Sequence, residues 1–197
     1  MKIDLTEIYK GLDEWRAERG ITAESQKAGY LVNVMEELGE LATALREYER
    51  FSKPSYPYQK NKKYAEHGII DALCDISVFT INAGADVNCN EKIEIINTSQ
   101  TTRCNSSLSF LLSECGNFVY YGKFSSYVCF NQILLSCAKL CEQYGFDFQI
   151  AMDETIKEIS SRTGAYDEKA KKWVKDESDE ARAKWHKADY EKARIEK

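Results

Sequence analysis

The chain has 197 residues, 43% of them hydrophobic and 30% charged, with a net charge of -5. That is enough for one domain with a real core. The acidic balance argues against a general nucleic-acid binder, which needs a basic surface. No apolar run approaches the roughly 18 residues of a membrane span. The start, Met1-Lys2-Ile3-Asp4-Leu5, lacks the apolar stretch of a signal peptide.

Ten Gly and two Pro, the latter both within one short stretch at Pro54 and Pro57, favour long helices. The seven cysteines form no C-x-x-C pair and there are only two histidines, which argues against a zinc site of the usual spacing. Most of the cysteines lie beside Leu, Ile, Phe or Val, as reduced core residues of a cytoplasmic protein do.

Residues 3–19 carry Ile3, Leu5, Ile8, Leu12 and Trp15 near helical spacing, and Gly20 ends the helix. A second helix starts near Thr22 or Ser25 and runs to about Arg50. Its apolar stripe reads Leu31, Val34, Met35, Leu38, Leu41, Ala42 and Leu45, with Glu36, Glu37 and Glu40 on the other side. Phe51 to Tyr58 is a loop because of its prolines. A third helix spans about Lys62 to Ala85, and Ile69, Ile70, Ala72, Leu73, Cys74, Ile76, Phe79 and Ile81 surround it almost completely. Such a helix is buried. Residues 86–148 carry fewer charges. Leu108 to Cys115 and Ile133 to Cys141 read as two more helices, Phe118 to Tyr121 as helix or short strand, and 97–107 as a polar loop. Ala151 to Ile159 is helical again, and 177–197 reads as a charged surface helix. The expected architecture is a single all-α domain over 1–197, with 87–148 a helical elaboration.

For Glu36, Glu37 and Glu40, a solvated helix face is the plainest reading, because like charges at helical spacing cost little when exposed. Asp71 and Asp75 differ. They lie one turn apart on a helix with no water-facing side, so they must be protonated, paired or metal-bound. If the acidic face of the second helix turns towards them, hard oxygen ligands converge that suit Mg²⁺ or Mn²⁺.

Glu36-Glu37-Leu38-Gly39-Glu40 resembles the E-E-x-x-E motif of the MazG-like, all-α nucleoside triphosphate pyrophosphohydrolases, whose relatives include dimeric dUTPases, dCTP pyrophosphatases and phosphoribosyl-ATP pyrophosphohydrolases. The family's second motif is E-x-x-D on the next long helix. Asp75 fits its aspartate, but Ala72 stands where the glutamate is expected, and Asp71 lies one position earlier. The resemblance covers about residues 12–86. Asp153 to Arg162, followed by a Lys-Trp-x-Lys segment, is similar to a later helix of MazG-like proteins.

The resemblance implies a MazG-like helical bundle and a Mg²⁺-dependent enzyme that cleaves the α–β phosphoanhydride of a (d)NTP to (d)NMP and pyrophosphate, in nucleotide-pool housekeeping. Glu37, Glu40, Asp71 and Asp75 are then the expected metal ligands. Glu36 is a further ligand or the base that orients the water. Lys157, Arg162, Lys172 and Lys175 are candidates for phosphate, against the alternative of a solvated basic face. Trp15 could stack on the base and Gln26 bond its edge, against core packing for Trp15; Tyr166 and Trp173 are weaker candidates. His67 reads as a residue that supports the metal ligands from behind or as a lone surface histidine, and Cys74 as core. Relatives assemble as homodimers or homotetramers. Two alternatives stay open: a phosphoribosyl-ATP pyrophosphohydrolase-like enzyme, and a helical interaction module that has lost catalysis, which Ala72 keeps in view.

Overall fold

The computed structural model describes residues 2–53, 60–85, 95–97, 108–120, 127–167, 169 and 172–196. A short strand β1 (Lys2–Asp4) precedes helices α1 (Thr6–Glu18), α2 (Ala23–Phe51) and α3 (Lys60–Ala83). Strand β2 (Ile95–Asn97), helices α4 (Leu108–Tyr120), α5 (Tyr127–Gln143) and α6 (Phe148–Ser161), and strands β3 (Gly164–Asp167) and β4 (Lys172–Lys175) follow. A short helix α7 (Asp179–Arg182) and a 3-10 turn at Tyr190–Ala193 end the described chain. The described residues are mostly helical, with little sheet, and no helix among them is long and apolar enough to cross a membrane.

Local chemistry sets the helix ends. Gly20 takes a left-handed φ of 61° after α1, a conformation open to glycine at no steric cost. Thr22 caps α2 by accepting from the Ser25 amide at 3.2 Å, and Asp147 caps α6 by accepting from Ile150 at 3.1 Å. The far end of α6 is closed from outside: Arg19 donates to the carbonyls of Ser160 at 2.9 Å and Arg162 at 3.0 Å. Its guanidinium lies against the rings of both Trp15 and Trp173.

The third helix is the central one and packs against α2, α5 and α6. Ile69, Ile70, Ala72, Leu73, Cys74 and Ile76 are all buried, as the sequence pattern requires. Its buried hydroxyls are satisfied within the helix: Ser77 donates to Leu73 O and Thr80 to Ile76 O, each at 2.8 Å. At Gly68 an added Cβ would stand 3.3 Å from the Ala44 side chain, so a small residue there suits close approach of α2. Helices α4 and α5 contribute Leu111, Phe118, Ile133 and Leu134 to the same core as Leu38 and Leu73. All five described cysteines are buried; Cys89 and Cys104 lie outside the described residues, and of the loop expected at 97–107, Asn97 belongs to β2 while 98–107 lie outside them.

Three expectations change. On α2 the buried line runs through Tyr30, Val34, Leu38, Leu41 and Ala44, while Leu31 and Met35 are exposed. The buried positions step by four and then by three residues, and the neighbours one position away at Leu31 and Met35 turn outward. Strands appear that the pattern did not announce: β1 pairs antiparallel with β2, Ile3 opposite Ile96, and β3 with β4, Tyr166 opposite Trp173.

The third change is the C-terminal segment, which is not a surface helix. Its helical turns are short and separate, at Asp179–Arg182 and Tyr190–Ala193, and between them three backbone amides go to α6 side chains. His186 N donates to Ser161 Oγ at 2.8 Å, Ala188 N to Glu158 at 2.8 Å and Asp189 N to Glu154 at 3.2 Å. Tyr190 and Ala193 are buried as a result.

Glu154 is the hub of that docking. Only 1% exposed, it also accepts from Lys157 at 2.8 Å, His186 at 3.1 Å and Lys192 at 3.1 Å. Burial pushes its carboxyl up, but these hydrogen bonds together outweigh burial and hold it at about 2. Glu154→Ala should therefore destabilise the protein by roughly 2 kcal/mol, through the buried groups left unpaired. Limited proteolysis should then cut first between residues 184 and 194. Wild-type resistance of that segment in the variant would contradict the docking role.

Candidate metal centre

The acidic residues sit where α2 and α3 run side by side. On α2, Val34, Leu38 and Leu41 point into the core, and Glu37 stands half-buried at the border of that face, with Glu36 and Glu40 exposed beside it. On α3, Asp71 and Asp75 are half-buried one turn apart, while Ile70, Ala72, Leu73 and Cys74 around them are buried. The sequence pattern left α3 no water-facing side; the structure differs, since Asp71 and Asp75 are only half-buried where α3 runs beside α2. Ala72 itself is in the core, so Asp71, not position 72, faces the acids of α2.

The electrostatics show the convergence. Glu37 is pushed up to about 8, first by burial and then by the charges of Asp75, Glu40, Asp71 and Glu36. Asp75 is pushed up to about 7 by burial and by Asp71, with Glu158 and Glu40 adding to the rise and Arg162 opposing it. Burial also raises Asp71, partly offset by a hydrogen bond from Tyr190. The carboxyls therefore lose their protons stepwise, and Glu37, late in that order, meets the charges already formed.

A groove of about 410 Å³ opens beside them, lined by Glu36, Gly39, Glu40, Thr43, Tyr64 and Asp71 among others. Among the described residues, no three His, Cys, Asp or Glu side chains form a ready-made ligand shell in this conformation. The donor set nevertheless fits a hard divalent cation. It is all carboxylate oxygen, it comes from two adjoining helices, and its like charges raise one another's pKa, which a cation reverses.

Of the cationic candidates, Arg162 is brought to the cluster: its charge acts on both Asp71 and Asp75, and it donates to Glu158 at 2.8 Å. Lys157 instead pairs with Glu154 at 2.8 Å, and Lys175 with Glu177 at 3.0 Å. Lys172 lies on β4 opposite Asp167. Trp15 donates its indole N–H to Ile159 O at 3.2 Å and packs against the core, which is the bracing role of the two expected for it. Gln26 is half-buried in the first turn of α2. Tyr166 and Trp173 face each other across the β3–β4 hairpin. His67 is no lone surface residue: its Nε2 stands 2.7 Å from Glu191, and its ring meets those of Phe146 and Tyr190.

Two residues of the site escaped the sequence reading. Glu158 faces Asp71 and Asp75, and its only signal was i, i+4 spacing from Glu154 and to Arg162. Tyr190 donates to Asp71 Oδ1 at 2.6 Å across 119 residues of sequence, and nothing local announces it. Comparison with known proteins finds no matching family model, no similar curated protein and no similar solved structure.

The raised carboxyls fix the sign of a pH effect. Because Glu37 and Asp75 hold their protons more tightly when folded, the folded state binds more protons than the unfolded one over this window. Metal-free stability should then fall as pH rises from about 4, where such groups ionise in an unfolded chain, towards about 8, where Glu37 ionises in the folded one. Melting temperatures measured in chelator across that range check this. Glu37→Gln and Asp75→Asn should each flatten the decline, and an equally steep decline in both variants would contradict the assignment.

Proposed function

We propose that the protein is a Mg²⁺-dependent nucleoside triphosphate pyrophosphohydrolase, with Mn²⁺ able to replace Mg²⁺. The observation that carries this reading is the convergence of Glu37, Glu40, Asp71 and Asp75 from two packed helices, beside an open groove and facing Arg162. The likeness of Glu36-Glu37-Leu38-Gly39-Glu40 and Asp75 to the motifs of MazG-like enzymes supports the same assignment.

Glu37, Glu40, Asp71 and Asp75 would hold the metal. When bound, Mg²⁺ supplies neutralisation of phosphate charge and acidification of water. The chain's own groups do the rest. Glu36, exposed on the lining of the groove, would orient the attacking water and take its proton. Arg162, from α6, brings positive charge to the carboxylates and can share a phosphate oxygen. Attack at the α-phosphorus forms a new P–O bond, breaks the α–β anhydride, and releases pyrophosphate and the monophosphate.

The burial of Ala72 and the orientation of Asp71 support Asp71 in the place of the expected glutamate, since a longer acid at 72 would have to enter the core. That weakens the case for a module without catalysis, whose main support was the alanine. An oligomer is part of the proposal through the family likeness alone.

A panel of NTPs and dNTPs with Mg²⁺ should give pyrophosphate as the first product, and chelator should abolish it. Asp75→Asn should lower kcat/KM on the order of a hundredfold or more, as removal of an electrostatic clamp on a transferring phosphoryl group does. Orthophosphate as the first product, or no hydrolysis of any nucleotide, would overturn the proposal.

A further inference from the structure

The C-terminal segment does more than cover α6. From residue 186 onward it crosses from α6 to α3, and its docking is polar along its length. Glu154, Glu158 and Ser161 take its amides, as described above. Beyond Tyr190, Glu191 meets His67, and Arg194 donates to Glu66 at 2.9 Å on the same helix as Asp71. Ile195 N donates to Gly145 O at 2.8 Å, and Ala193 O accepts from Asp147 N at 2.6 Å. The segment is thereby held in register on both sides of Tyr190.

That register places one phenol at one carboxylate. Tyr190 is 4% exposed, and its hydroxyl lies between Thr155 Oγ1 at 3.0 Å and Asp71 Oδ1 at 2.6 Å. A phenol has a single proton to donate, and the carboxylate can only accept. Tyr190 therefore donates to Asp71, and its oxygen also stands 3.0 Å from the Thr155 hydroxyl, which donates to Ala151 O at 3.1 Å. Asp71 is left with Oδ2, and with the remaining lone pair of Oδ1, for a second partner. A phenylalanine would fill the same volume, so the hydroxyl's structural use is confined to this pair of contacts.

Resting on the metal-dependent reading above, we infer that Tyr190 is a positioning residue. It fixes the orientation of the Asp71 carboxylate as a ligand, so that the segment 186–194 completes the metal centre from outside the α2–α3 pair. Partners that orient a ligating carboxylate work in this way, and losing one costs about 10- to 100-fold in metal affinity.

The test uses the full chain and Mn²⁺ alone, without nucleotide. Mn²⁺ is titrated while melting temperature and the free-ion electron paramagnetic resonance signal are recorded for wild type, Tyr190→Phe and Lys192→Ala. Tyr190→Phe removes only the hydroxyl, and should raise the Mn²⁺ concentration at half-saturation about 10-fold. Lys192→Ala removes one tail anchor on Glu154 and leaves the hydroxyl in place. It should lower the metal-free melting temperature and leave the half-saturation point where it was. An unshifted half-saturation point in Tyr190→Phe, or an equal shift in Lys192→Ala, overturns the positioning role while leaving the metal centre standing. Wild type that takes up no Mn²⁺ overturns the metal centre itself, and this inference with it.

Discussion

The burial of α3 is the constraint on which the rest depends. A helix with apolar residues on nearly every side must be enclosed, and α2, α5 and α6 enclose it. Asp71 and Asp75 interrupt that surface where α3 is only half-covered beside α2. Two carboxylates there, with Glu37 and Glu40 added from α2, cannot all ionise cheaply, and the raised protonation of Glu37 and Asp75 is the direct result. A divalent cation relieves both the desolvation and the repulsion, which is why the proposed chemistry follows from the packing and not from the charge count.

The same logic separates two kinds of buried acid in this molecule. Glu154 is more deeply buried than Glu37, yet its carboxyl is held low because Lys157, His186, Lys192 and the Asp189 amide surround it. Glu37 is held high by burial first and then by its acidic neighbours. The first is a completed structural joint that fixes the C-terminal segment to α6. The second is a cluster of like charges at the edge of the core. Burial raises both carboxyls, and only Glu154 has hydrogen-bond donors that outweigh it.

Much of this was legible in the residues. Helical spacing from Ile69 to Ile81 places α3 in the core, and the carboxylates at 71 and 75 stand out against it because burying them unpaired is costly. The ends of α1 and α2 follow from Gly20 and Thr22. What stayed hidden depends on distant partners. The three-residue strand at Lys2–Asp4 has meaning only opposite Ile95–Asn97. The segment after Ser178 has the composition of a solvated helix, and three of its amides, at His186, Ala188 and Asp189, take another course because Ser161, Glu158 and Glu154 lie within reach. Tyr190 reads as an ordinary residue in a charged tail until the fold sets it against Asp71. On α2 the exposed Leu31 and Met35 show how a stripe of right composition still leaves the contact row undecided by one position.

The central claim is that a divalent cation belongs between α2 and α3. Crystals grown with Mn²⁺, with data collected at a wavelength where manganese scatters anomalously, test it most directly. The account predicts anomalous density in contact with carboxylate oxygens of Glu37, Glu40 and Asp75, with Asp71 turned towards it by Tyr190. Density only on exposed carboxylates elsewhere, or none between these two helices at saturating Mn²⁺, would contradict it.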